Sequence, residues 1–357
     1  MNFETFCEET KNHIKEFLPE EYAQAEVSLD RIEKINEIYT GLRVSKPGER
    51  VTPNINMDLF YEAYKNGIDV RDVIAKIVDI VTAPKPEFDI NKLTNYEYVK
   101  DKLFVKVCNK EKNEEMLRDM PHETIEDIAI TYHVLVNDGA DGISSFAIRN
   151  AYLERYGIEQ EQLHKDAMEN AQKIMPAKII DMNDITSKVL RMEMQEMGCS
   201  EEIILDRIEE SKIPDNSMLV VGNEKGISGA ATMFYPDIME QLAERMDGDY
   251  YVFPSSVDEM IALKADKEMS IDELKNIVAF VNHEEVDEIQ QLGFEVYHYD
   301  ASDKVFELGS EYNKRMAEKE KTSEKSSVLK KLDNKKKEIS DRVKDTVAPK
   351  KVVEATI

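Results

Sequence analysis

Two short stretches carry the side chains best suited to reactive chemistry. Pro121-His122-Glu123-Thr124-Ile125-Glu126-Asp127 leads into the segment that holds His133. An imidazole among carboxylates can bind a metal or relay a proton as general acid and base. Pro254-Ser255-Ser256-Val257-Asp258-Glu259 stands between an expected strand and an expected helix, where hydrolases of the strand–turn–helix type place a nucleophilic serine. His122, Asp127, Ser255 and Glu259 are therefore the candidate catalytic residues. Each also has a plain structural account. There is no His-Glu-x-x-His, and His122 precedes His133 by eleven residues with a strand expected between them. A loop His122 and a turn-forming Asp127 need no chemistry. The Gly-x-Ser-x-Gly elbow is missing around Ser255, and Ser256 reads as a helix N-cap with Glu259 as its partner and Asp258 in the first turn.

The remaining groups assemble no motif. Gly222-Asn223-Glu224-Lys225-Gly226-Ile227-Ser228-Gly229 has glycines but lacks Gly-Lys-Ser/Thr and a following helix, so it reads as a hairpin turn and not as a phosphate cradle. His13, His164, His283 and His298 are isolated. Cys7, Cys108 and Cys199 lie 101 and 91 residues apart, which excludes Cys-x-x-Cys chemistry and a disulfide scaffold and suits reduced thiols in the cytoplasm. Neither a cofactor nor a metal is expected. Met182, Met192, Met194 and Met197 read as core filling, with a partner-binding groove as the alternative.

The elements that must position these residues follow from periodicity. Phe3 to Phe17 reads as an amphipathic helix; Ala25–Ile32 and Ile38–Val44 form a hairpin. A helix over Asn56–Tyr64 stops at Gly67, and Asp69 caps a helix with Val70, Ile74, Ile77, Val78 and Val81 on one face. Pro84 and Pro86 mark a boundary between an N-terminal subdomain (1–86) and a main domain (87–313). Val99, Leu103 and Val107 fit a helix, although Phe104-Val105 allows a strand. Ile128–Val136 is a buried strand, Asn137-Asp138-Gly139 a turn, and Ile143–Ile148 its return. Helices are expected over Asn150–Tyr156, Glu159–Ile174, Asp184–Met197, Glu201–Lys212 with Ser200 as its cap, and Tyr235–Met246. Strands are expected at Met218–Val221, Ile227–Phe234 and Tyr250–Phe253. A helix then spans Ser256–Leu263, and Ser270-x-x-Glu273 is a capping box for one over Ile271–Val281. Phe294–His298 and Lys304–Leu308 close the body as a hairpin. Hairpins separated by helical pairs imply α+β architecture with antiparallel sheets.

Charge divides the chain differently. The 357 residues carry 47 Lys+Arg against 73 Asp+Glu, a formal net charge of −26. From Lys314 to Ile357, 14 basic residues face 8 acidic ones, so a tail of +6 follows a body of −32. An acidic body is unsuited to direct nucleic-acid binding. No apolar run reaches the roughly 20 residues that span a bilayer, so no membrane segment is expected. Lys314–Lys351 has the composition of a disordered or marginally helical tail, although Leu329, Leu332, Lys336, Ile339 and Val343 fall at helical spacing, a stripe that Lys336 weakens and that a protein partner would order.

With these segments in place, the chain resembles a bacterial family catalogued as domain of unknown function fifty-six eighty-eight. The likeness rests on Met1-Asn2-Phe3-Glu4-Thr5-Phe6, Asn54–Gly67, Asn109-x-x-x-Asn113 with Met120-Pro121-His122, and Asp127-Ile128-Ala129-Ile130-Thr131-Tyr132. It continues through Tyr156-Gly157-Ile158, Ala167-Met168-Glu169-Asn170, Gly229-Ala230-Ala231, Phe253-Pro254-Ser255-Ser256-Val257 with Glu259, and Val281-Asn282, covering roughly residues 1–312. The family usually has a histidine where this chain has Asp258, which argues against a general catalytic histidine there. Gly157-Ile158-Glu159-x-Glu161-x-Leu163 gives a fainter likeness to a second uncharacterised bacterial family. The resemblance implies a soluble bacterial protein, often carried on mobile elements, and no activity, cofactor or site.

The leading expectation is thus a cytoplasmic, non-catalytic accessory or protein-interaction module, with its partner reached through the tail Lys314–Ile357. Two alternatives stand beside it. One is an enzyme that gathers His122, Asp127, Ser255 and Glu259 from loops. The other is an acidic DNA mimic that antagonises a DNA-binding enzyme.

Overall fold

The computed structural model describes residues 1–49, 52–84, 90–139, 142–266 and 270–319, with the single positions 321 and 335. Asn2 accepts the Thr5 N–H and opens α1 (Phe3–His13), which buries Phe6, Cys7 and Thr10. β1 (Glu26–Lys34) and β2 (Glu37–Ser45) pair antiparallel. Their register leaves Ile35-Asn36 as a two-residue turn, with Asn36 at φ 60°, a left-handed conformation that asparagine tolerates. β3 (Asn54–Asn56) joins β2 to complete a three-stranded sheet. α2 (Met57–Lys65) and α3 (Val70–Thr82) follow, and Asp69 caps α3 by accepting the Arg71 N–H. Phe6, Leu42, Val44, Met57 and Ile77 belong to one hydrophobic cluster with this sheet. The expected boundary at Pro84–Pro86 runs into positions outside the described residues.

The second sheet begins after α4 (Tyr96–Val99). Where the sequence left helix and strand open, β4 (Leu103–Asn109) is a strand: it pairs with β6 along its length and is covered on both faces, with Leu103, Phe104, Val105 and Val107 in the main core and Cys108 in a second cluster. α5 (Glu114–Leu117), β5 (His122–Ile125), β6 (Ile128–Gly139) and β7 (Gly142–Ala147) complete it. β6 pairs with β4 on one side, and with β5 and then β7 on the other. Ile128, Ile130, Tyr132 and Val134 enter the main core, while Ala129 belongs to a separate cluster with Cys108, Met116 and Met120. Both faces are covered, so β6 reads as a continuous buried run. The expected turn at Asn137-Asp138-Gly139 is displaced: β6 extends to Gly139 across a bulge between Leu135 and Asn137. α6 (Asn150–Tyr156) ends at Gly157, φ 67°, and α7 (Gln160–Ile174) packs Leu163, Ala167 and Ala171 inward.

The third sheet has the order β13-β12-β10-β11-β9-β8 and is antiparallel throughout. Its strands are β8 (Ala177–Asp181), β9 (Met218–Asn223), β10 (Tyr250–Pro254), β11 (Met260–Lys264), β12 (Tyr297–Asp300) and β13 (Val305–Leu308). Between them lie α8 (Met182–Glu196), α9 (Glu201–Glu210), α10 (Ile238–Met246) and α11 (Ile271–Glu285). A last helix, α12, covers 309–319, so helix continues past Lys314. The stripe residues Leu329, Leu332, Lys336, Ile339 and Val343 lie outside the described residues. The architecture is α+β with antiparallel sheets.

Four expectations are corrected here. Ser256–Leu263 is not a helix. It is a turn followed by β11, in which Met260 and Ala262 alternate inward at the strand period. Ile227–Phe234 is not a strand: Gly229–Phe234 is a fully buried 3₁₀ segment. Ser200 and Ser270 precede α9 and α11 as expected, but neither side chain makes a cap hydrogen bond. The methionines do not fill a core: Met192 and Met197 are 55% and 71% exposed, because α8 buries no residue.

Candidate functional site

A cleft of about 770 Å³ opens between the β1–β2 hairpin and the second sheet. Its floor is the face of β4, β6 and β7 that carries Lys106, His133 and Ala147. Strand register places Lys106 opposite Thr131 and His133 opposite Ala147, and residues two apart on one strand share a face. Lys106, His133 and Ala147 all line the cleft, with Ser144, Ser145 and Arg149 beside them. The hairpin tip forms the opposite wall through Glu33, Lys34, Ile35 and Glu37.

Asparagines hold that wall in place. The Asn36 backbone N–H donates to Asn113 Oδ1 at 2.7 Å, and Asn113 Nδ2 donates to Asn36 Oδ1 at 2.9 Å and to Asn109 O at 2.8 Å. Asn36 Nδ2 in turn donates to Ile289 O at 3.1 Å and Gln291 O at 2.8 Å. The conformation that makes asparagine suitable for the turn thus also aims its amide at the body.

The electrostatics of the cleft are unequal. Glu33 pairs with Arg31 at 3.1 Å, and Glu37 accepts Asn56 Nδ2 at 2.7 Å. Arg149 reaches Asp119 at 3.6 Å. Lys106 is half-buried; among the described residues its ammonium makes no hydrogen bond and has no carboxylate within 4.0 Å, and it lies 5.7 Å from the centroid of the Phe104 ring. Burial pulls its pKa below the usual lysine range, partly opposed by the more distant Asp258. His133 is buried, with Nε2 3.0 Å from Thr131 Oγ1. Burial first, then the charges of Lys106 and Arg149, hold its pKa well below the ordinary imidazole value.

The four sequence candidates stand elsewhere. His122 lies on β5 and not in a loop. Its Nδ1–H donates to Met120 O at 2.8 Å, since a carbonyl only accepts. Register puts it opposite Thr131, so it shares a sheet face with His133 without lining the cleft. Asp127 is in a turn, as expected: Glu126-Asp127 link β5 to β6, with Glu126 at φ 54°. The Asp127 carboxylate accepts the Tyr297 hydroxyl at 2.5 Å and Asn109 Nδ2 at 3.1 Å, beside a separate cavity of about 330 Å³. Burial, then Asp127, raises the Tyr297 pKa above the tyrosine range, so this phenol remains a donor. Ser255 donates to Glu259 Oε1 at 3.3 Å in the β10–β11 turn. In that turn Ser256 Oγ accepts the Asp258 N–H at 3.1 Å and Asp258 Oδ1 accepts the Ser228 N–H at 2.5 Å, which replaces the expected helix cap. Of the four, only Ser255 and Glu259 touch. Gly229 lies against the same turn: a Cβ there would sit 2.3 Å from Asp258 O and 2.8 Å from Asn223 N.

The sequence reading passed over Lys106 entirely. Its signal is a single lysine inside the apolar run Leu103–Val107, matched by His133 inside Ile128–Val134. Among the described residues no group of three or more His, Cys, Asp or Glu is placed to hold a metal ion, and no helix is long and apolar enough to cross a membrane.

A family pattern described as Family of unknown function (DUF5688) matches residues 3–301. No curated protein and no solved structure matches the chain.

Proposed function

The chain belongs to the Family of unknown function (DUF5688), and we propose that it acts as a non-catalytic accessory module that binds a ligand or partner segment in the cleft under the β1–β2 hairpin. One observation carries this reading. The cleft is more than twice the volume of the cavity beside Asp127, and none of His122, Asp127, Ser255 or Glu259 lines it. Three of those side chains hold turns or join sheets, and His122 bonds the chain two residues away. Such bonds support folding, and they tie all four side chains into the scaffold outside the cleft. Three free cysteines suit a role in a reducing cytoplasm.

The test is native mass spectrometry of the full chain incubated with a small-molecule and peptide extract of bacterial cells. Wild type should retain a ligand unchanged in mass. Ser145→Trp, which fills the cleft from the β7 side, should lose it. Equal retention by the two proteins would refute the site, and a ligand returned chemically altered would refute the non-catalytic role.

A further inference from the structure

Among the described charged side chains lining the cleft, Glu33, Glu37 and Arg149 have polar partners, whereas exposed Lys34 and half-buried Lys106 have only the nearby rings of Tyr39 and Phe104. A half-buried ammonium without a counter-charge is costly, because it has lost part of its hydration and gains only the face of the Phe104 ring, 5.7 Å away, in return. Partial desolvation also makes any anion that arrives worth more than it would be at an open surface. The carboxylates on the opposite wall are engaged, Glu33 by Arg31 and Glu37 by Asn56. Asp258 attracts Lys106 from a distance, but one of its oxygens is taken by the Ser228 N–H. The positive field is concentrated locally: Lys106 and Arg149 both act on the neutral His133. This happens on a chain whose net charge is −26.

Resting on the binding-module reading, we propose that the cleft recognises the phosphate or carboxylate group of a small anionic ligand through the Lys106 ammonium, with Arg149 and the Ser144 and Ser145 hydroxyls as further donors. All four residues line the same cavity. Its volume of about 770 Å³ suits a small molecule. Lysine serves here as a point charge and arginine as a planar fork, so the pair accepts either anion.

Isothermal titration of the full chain with inorganic phosphate and, separately, with malonate at low constant ionic strength tests this. Wild type should bind at least one probe saturably. Binding of phosphate alone identifies a phosphoryl ligand, and of malonate alone a carboxylate. Lys106→Met should weaken that binding about tenfold or more, the usual worth of one charge-assisted hydrogen bond. Lys106→Arg should stay within a few-fold of wild type, which separates lost charge from lost fold, and Lys188→Met on α8 should change nothing. The proposal is overturned if neither probe binds, or if Lys106→Met binds as wild type does. A ligand retained in the native mass spectra without any anion binding would overturn this inference alone and leave the binding module standing.

Discussion

Replacing Asn113 by alanine probes how the cleft is built. The side chain is 5% exposed and makes three hydrogen bonds, two to Asn36 at 2.7 and 2.9 Å and one to Asn109 O at 2.8 Å. At roughly 0.5–1.5 kcal/mol net for each, their loss costs about 2–4 kcal/mol. The buried partners left behind push the value toward the upper end. The hairpin tip keeps the Asn36 bonds to Ile289 O and Gln291 O. It also keeps the Arg31–Glu115 pair at 3.1 and 2.9 Å, an exposed and solvent-screened contact that adds little. The damage should therefore be local as well as global. Urea unfolding should lose the stated amount, and amide exchange should quicken in β1 and β2 more than in the third sheet. Asn113→Asp retains the acceptor for the Asn36 N–H but sets a carboxylate oxygen against Asn36 Oδ1 and Asn109 O in a buried site, so it should cost at least as much as alanine. A loss below about 0.5 kcal/mol, or exchange in the hairpin unchanged, would refute the clamp.

Three further outcomes follow from the same geometry. Gly229→Ala forces a methyl group onto the backbone of Asp258 and Asn223, so about 1–3 kcal/mol or more should be lost on urea unfolding, and a variant as stable as wild type would show that the turn can retreat. His133 has its folded pKa below the unfolded value of about 6.5, so its contribution is present above that pH and is lost as pH falls toward the folded value; stability measured from pH 7.5 to 5.5 should fall, His133→Gln should flatten the decline, and parallel slopes would contradict the assignment. Burial pushes the thiol of Cys7 up to about 11 and that of Cys108 up to about 12, while Cys199 is only half-buried. At pH 8 Cys108 is then roughly one ten-thousandth thiolate, so a colorimetric thiol reagent should modify Cys199 alone in the native chain and all three in urea; rapid native modification of a second thiol would count against this.

Helices whose apolar residues recur on one face were legible from sequence, as α3 and α7 show, because the pattern that selects the conformation also selects the buried side. The hairpin β1–β2 was legible for the same reason; the last hairpin was legible as a hairpin, but its first strand is Tyr297–Asp300 and not Phe294–His298, so Tyr299 and Asp300 pair with Phe306 and Val305 where a turn was expected. The segment after Pro254 was not. Ser256, Asp258 and Glu259 have the chemistry of a helix start, and the same side chains cap a turn equally well. What decided between them was that β11 finds hydrogen-bond partners in both β9 and β10, which local preference cannot foresee.

The site divides along the same line. Composition, the family likeness and the absence of any metal-ligand or nucleophile spacing were determined by the order of residues alone, since each depends on identity or short-range separation. The cleft was decided by tertiary structure. Lys106 and His133 are 27 residues apart and meet only because two antiparallel strands set Phe104 opposite His133 and Lys106 opposite Thr131. Asn36 and Asn113 close the space above them across 77 residues. Strand register and the docking of one sheet on another are collective properties of the packed chain, so no local stretch encodes which polar groups end up facing one another.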